Sequence, residues 1–234
     1  MGDDDFGGFD ESRRAFLKKA LGAAFVAPMV VSFTMDALFE PAQAAPNQFC
    51  PNQTFPNQFT CSAANTISGV IYGNVVVNSG SKCIKTATIY GSVTVSNGAD
   101  VNIEDSVIKG SLSSNGGRTL WLTGTSVAGP TNINGNTGFV LIGGNSGDGN
   151  VLNSLSLTYN TGGIRVQGNQ ISGAVNVAYN NGGCGIDALT GGPAAIVVAN
   201  NTIGGSLSGS YNTPPAQGSG NTVSGQQSGD FAAI

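Results

Sequence analysis

Histidine is absent from this chain of 234 residues. Its absence removes the usual general base at neutral pH, and with it every Ser-His-Asp and Cys-His arrangement. It also weakens any structural zinc site, since no close CxxC pair makes up for it. Charge is scarce as well, at 9% of residues, and much of the formal −4 sits at the N-terminus in Asp3, Asp4, Asp5, Asp10 and Glu11. From Ala45 onward six acids (Asp100, Glu104, Asp105, Asp148, Asp187, Asp230) face five bases (Lys82, Lys85, Lys109, Arg118, Arg165), and 5 − 6 gives a net of −1. A surface so close to neutral gives no electrostatic case for nucleic acid or an anionic membrane as partner. Disorder is excluded too, because Val, Ile and Leu are spread evenly at strand spacing, where a disordered tract would be poor in them and rich in charge.

What the chain has in plenty is glycine, 36 residues of it, with many Asn, Ser and Thr. The stretch Thr88 to Asn115 shows how they are used. Ile89, Val95, Val101 and Val107 recur at a spacing of six, and Val93, Ile103 and Leu112 extend the apolar set at steps of two. That alternation predicts short strands with one face buried, and the Gly, Asn, Ser and Asp between them supply turns. The unit repeats: an aliphatic residue, usually Gly two positions on, alternating aliphatics, then Asn. Copies lead with Ile67, Ile89, Val107, Val127, Val151, Ile171, Ile203 and Val223, at steps of 22, 18, 20, 24, 20, 32 and 20. One such copy per turn is what a coiled, all-β, single-stranded parallel β-helix of seven or eight rungs requires. Asn aligned on successive turns would form a ladder of amide hydrogen bonds. The step of 32 marks an insertion at Asn180 to Pro193, and further expelled loops are expected at Gly143 to Asn150 and Thr213 to Ser219.

The N-terminus reads as an address. Ser12-Arg13-Arg14-Ala15-Phe16-Leu17-Lys18 resembles the twin-arginine export motif at every position, which implies the twin-arginine export machinery as a partner. An apolar run from Ala20 to Met35 follows, interrupted by Pro28 and shorter than the roughly twenty residues a spanning helix needs. Then comes a small-x-small cleavage site at Ala42-Gln43-Ala44 before Ala45. Residues 1–44 are thus expected to be a signal peptide, 45–60 an extended linker with Pro-Asn-Gln three times, and 61–234 the β-helix, with no membrane-spanning segment of its own. The destination is the periplasm, the cell surface or the outside.

Four cysteines in an exported chain predict disulfides. Cys61 and Cys83 lie about one rung apart and would close the first turn. Cys50 and Cys184 would bridge the linker to the insertion or stay free. Candidate chemistry is thin: the carboxylates Asp100, Glu104 and Asp105 beside Lys109 read as solvated corners. Asp148, in GGNSGDGN, is a weak candidate for Ca²⁺, and no other cofactor is expected. Trp121 alternates with Leu120 and Leu122, so it faces away from them. Trp121 and Asp187, the latter in the insertion, are the residues singled out for ligand binding.

The run from Gly73-Asn74-Val75-Val76-Val77 through Gly91 to Gly98-Ala99-Asp100-Val101, Val107 and Gly110 resembles exported bacterial β-helix proteins of uncharacterised function. The same rhythm is similar to bactofilins, polymer-forming cytoskeletal proteins, which implies a right-handed coil and end-to-end assembly. The left-handed hexapeptide helix shares the six-residue spacing and is the alternative. The functional expectation is a non-catalytic structural or adhesive element of the cell envelope, with envelope polysaccharide or further copies of itself as partners. The other reading is a carbohydrate-active enzyme or carbohydrate-binding module of the polysaccharide lyase or hydrolase β-helix type.

Overall fold

The computed structural model describes residues 31–33, 61–144, 148–182 and 196–232. Its strands all pair in parallel and wind into a β-solenoid of about seven turns. Each turn has three flat faces. On the first face the register runs Val75, Val93, Leu112, Thr131, Leu155, Val175, Leu207, Gln227. On the second it runs Val101, Leu120, Val140, Ile164, Ile196. On the third it runs Ile71, Ile89, Ile108, Val127, Leu152, Ile171, Ile203, Val223. These residues point inward and form one continuous core, nearly all of it shut off from solvent. Adjacent turns stack at the strand spacing of about 4.8 Å. Each aliphatic therefore rests on its counterpart one turn away and is buried at roughly 25 cal/mol per Å².

The third-face register corrects three of the expected leading residues. Ile71, Ile108 and Leu152 occupy the inward column where Ile67, Val107 and Val151 were expected. Ile67 instead pairs with Ile84 on the second face, and Val151 points outward, 49% exposed. In both Val107-Ile108 and Val151-Leu152 two aliphatics are adjacent, so alternation could not say which faced in.

The expected loops resolve differently. Thr131 to Leu155 spans 24 residues against 19 for the preceding turn, so the extra residues lie around Gly143 to Asn150 as expected. The step of 32 from Val175 to Leu207 places the long insertion at the corner between first and second faces, its residues 183–195 lying outside the described set. Thr213 to Ser219 is not all loop, since Gln217–Ser219 pairs with Val197–Ala199 as a second-face strand. Both prolines fall in the corner before it, where no ladder bond is required of them.

Each corner has its own device. Between the third and first faces stands a column of backbone-to-backbone contacts: the amides of Gly91, Gly110 and Gly129 donate to the carbonyls of Gly73, Gly91 and Gly110 at 3.1, 3.0 and 2.9 Å, and Gly205 and Gly225 continue it. Between the second and third faces runs a buried side-chain ladder. Ser106 Oγ, Thr125 Oγ1, Asn150 Oδ1, Asn169 Oδ1, Asn201 Oδ1 and Asn221 Oδ1 each accept the backbone N–H of the turn before, at 2.9–3.2 Å. Between the first and second faces a second ladder passes from Asn136 through Asn160, Asn180 and Asn212 to Asp230. These amides sit where the chain turns inward and ordinary strand pairing leaves donors over. The ladders take up these backbone N–H groups inside the solenoid, while Asn136, at the start of the second, keeps a buried side-chain N–H with no acceptor.

The two ends differ: the first turn carries a disulfide and an added strand, whereas the last leaves the outer edges of Gln217–Ser219, Thr222–Val223 and Gln227–Gly229 unpaired among the described residues. Cys61 and Cys83 form the expected disulfide at the first turn. Val31–Phe33, from the expected signal segment, run parallel to Val75–Val77 and add one strand to the first face. At the other end Phe231 is fully buried over Gly209, where a Cβ would come within 2.8 Å of its ring. Beside it Asp230 accepts from Asn212 Nδ2 at 2.7 Å and from the Ala216 amide at 3.1 Å. Among the described residues no helix is long and apolar enough to cross a membrane.

Candidate functional site

The first face is the one that offers a surface. One outward column runs from Val76 through Thr94, Ser113, Asn132, Ser156, Asn176, Ser208 and Ser228, and a second runs Ser96, Asn115, Asn134, Thr158, Ala178, Ser210; none of these is charged, and the seven from Thr94 to Ser228 carry hydroxyls or carboxamides. None of these seven is buried. They form a flat strip of hydroxyls and carboxamides along the solenoid axis.

The trailing edge of that strip is a column of left-handed backbone. Asn97, Gly116, Gly135, Tyr159, Tyr179 and Tyr211 follow one another across six turns, all with φ between 52° and 69°. Asn and Gly tolerate this conformation, whereas a bulky aromatic in it is strained. The chain nonetheless places tyrosine there on three consecutive turns. The rings stack, with centroids 5.1 Å apart for Tyr159 and Tyr179 and 4.8 Å for Tyr179 and Tyr211, and interplanar angles of 7° and 9°. All three are solvent-exposed, Tyr211 most of all at 74%. The residue after each is a buried ladder asparagine, Asn160, Asn180 or Asn212, so the strained corner is clamped from inside. At the leading edge, on the first turns, Tyr72 and Tyr90 stack at 5.1 Å and are also exposed.

The residues expected from sequence to matter fall elsewhere. Trp121 does face away from Leu120 and Leu122, between Asn102 and Leu141 on the outside of the second face, but it is buried to 7% exposure. Its indole N–H has no acceptor. A ring so covered offers a ligand little surface. Asp187, Cys50, Cys184, the motif Ser12 to Lys18 and the cleavage site Ala42 to Ala45 lie outside the described residues. Asp148 is described and exposed, and among the described residues no group of three or more Cys, Asp or Glu gathers that could hold a metal ion.

The carboxylate cluster is divided among structural partners. Asp100 is buried and accepts from both Arg118 nitrogens, Nε at 2.9 Å and Nη2, and from the Thr119 amide at 3.1 Å and Ser81 Oγ at 3.3 Å. That hydrogen bond raises the Arg118 guanidinium above its ordinary pKa against the opposing pull of partial burial, and the carboxylate's charge adds to the rise. Glu104 pairs with Lys85 Nζ at 2.7 Å and accepts from Asn102 Nδ2 at 2.6 Å. Asp105 occupies an exposed corner with φ 47°. Asp100→Ala is expected to cost about 1 to 3 kcal/mol, because it removes a buried acceptor on which Arg118, the half-buried Thr119 amide and Ser81 converge. Glu104→Ala, where the carboxylate itself is more open to water at 20% exposure against 6% for Asp100, is expected to cost less than about 1 kcal/mol. Urea unfolding of the two variants side by side measures the difference.

Sequence reasoning passed over the tyrosines and one of the two ladders. The signals were the dipeptides Tyr159-Asn160, Tyr179-Asn180 and Tyr211-Asn212, and the recurring Asn-x-aliphatic at Asn169, Asn201 and Asn221. Compared with protein-family models, curated proteins and solved structures, the chain matches none.

Proposed function

We propose that this chain is an exported β-solenoid serving as a stiff structural or adhesive rod in the cell envelope or outside the cell, with no catalysis of its own. The observation that carries the reading is the stack of Tyr159, Tyr179 and Tyr211. Three exposed aromatic rings are held in register on backbone that tyrosine disfavours. Strain retained on the surface, where nothing in the fold needs an aromatic, is a mark of use. The two buried ladders support the stiffness, since each turn is bonded to the next through side chains as well as backbone.

Two measurements test this. Fractionation of cells expressing the full chain should find it outside the cytoplasm, and R13K/R14K should leave the uncleaved precursor inside. An unchanged distribution removes the export reading. The exported protein should then sediment as a monomer and bind isolated envelopes. A chain that stays soluble beside them, or that forms filaments, removes the adhesive rod.

A further inference from the structure

Three properties of the first face bear on what it would hold. It is uncharged over its whole length, so a partner recognised there gains nothing from ions and a polyanion or polycation is not selected. It presents, at each turn, a short hydroxyl or carboxamide side chain able to donate and accept: Asn132, Ser156, Asn176 and Ser208 in succession. Alongside these lies the tyrosine stack, whose centroid spacings of 4.8 and 5.1 Å repeat with the turns. A linear chain of neutral sugars matches all three. Its hydroxyls pair with the polar strip, its C–H faces cover aromatic carbon, and its repeating units run parallel to a repeating surface. A flat crystalline surface such as ice would also meet rows of hydroxyls, but exposed tyrosines along both margins stand in the way of a flat contact.

We propose that the first face, from Asn132 to Ser208 with Tyr159, Tyr179 and Tyr211 at its margin, binds a linear uncharged polysaccharide lying along the solenoid axis. This rests on the adhesive reading and names its partner. It also replaces Trp121 with the tyrosine stack as the aromatic element of the site. The rings give the contact area, and the corner strain, held by Asn160, Asn180 and Asn212, fixes them before binding, so little side-chain freedom is lost on association.

The test is affinity electrophoresis of the exported protein through gels holding neutral linear glucans, mannans or xylans, with alginate as the charged control. Retardation by at least one neutral polymer and none by alginate is the expected result. The double variant Tyr179→Asn/Tyr211→Asn should weaken it at least tenfold without lowering the melting temperature, because asparagine accepts the left-handed corner without strain while the ring and its stacking are lost. Ser156→Glu, which puts a charge in the strip without touching a tyrosine, should weaken it too. The proposal is overturned by retardation in none of the neutral gels, by equal retardation of the double variant, by stronger retardation in alginate, or by ice shaping in place of glycan binding. Envelope binding that survives the double variant overturns it while leaving the adhesive rod standing. Loss of envelope binding in the wild-type protein would remove the rod by itself.

Discussion

Replacing Asn169 with alanine is expected to destabilise the protein by about 3 to 6 kcal/mol, because it strands two or three fully buried polar groups at about 1 to 3 kcal/mol each. Asn169 Oδ1 accepts both the backbone N–H and the Nδ2 of Asn150, at 3.0 and 2.9 Å. Its own Nδ2 donates to the carbonyl of Ile142 at 2.9 Å and to Asn201 Oδ1 at 2.9 Å. The residue is 2% exposed, so water does not replace the lost partners. A domain of this kind has about 5 to 15 kcal/mol of stability in all, so a change of that size takes a large share of it. Because a solenoid is held turn to turn, the loss should also appear as broken cooperativity, with the turns on either side of Asn169 melting apart. Asn221→Ala is the control. It ends the same ladder on a half-open turn, where water can reach the abandoned donors, and should cost far less. Equal melting curves for the two variants would show that the ladder contributes little.

Gly110→Ala should cost about 3 kcal/mol, at the upper end of what overpacking a close contact does. A Cβ at Gly110 would stand 2.6 Å from the carbonyl oxygen of Gly91, and backbone cannot swing aside as a long side chain can. The column would have to part locally, loosening the bonds of 3.0 and 2.9 Å that Gly110 makes to Gly91 and Gly129. Gly98→Ala separates space from conformation. Gly98 has φ 73° with nothing within 4 Å of its missing Cβ, so alanine there meets only backbone strain, worth about 1 kcal/mol. Chemical denaturation should rank Gly110→Ala well below Gly98→Ala. The reverse order would mean that corner conformation, not close approach, made glycine necessary.

Legibility in the sequence followed physical reach. The coil was readable because alternation and the turn residues are local, and because the unit recurs often enough for its period to show through the insertions. The Cys61–Cys83 bridge was readable for the same reason, since a separation of 22 residues is close to one turn. Facing was not readable where two aliphatics adjoin, as at Val107-Ile108, because the choice belongs to the neighbouring turn and not to the pair. Of the carboxylates expected at solvated corners, only Asp105 is one; Asp100, buried, and Glu104 open and close a second-face strand, because their partners Arg118 and Lys85 come from adjacent turns, some 18 and 19 positions along the chain.

The candidate surface was the least legible part. Tyr159, Tyr179 and Tyr211 are separated by 20 and 32 residues, and the insertion hides their equivalence until the turns are stacked. In contrast, alternation turned Trp121 away from the core but left open whether it was exposed or covered. Burial of an outward side chain depends on what lies across it, which no local pattern records. On its own, then, the sequence determined the strand, the turn and the number of times they recur, since those depend on neighbours one to six positions away. Stacking decided which side chains meet, which amides form ladders and which tyrosines make a surface, because these contacts join residues a full turn apart.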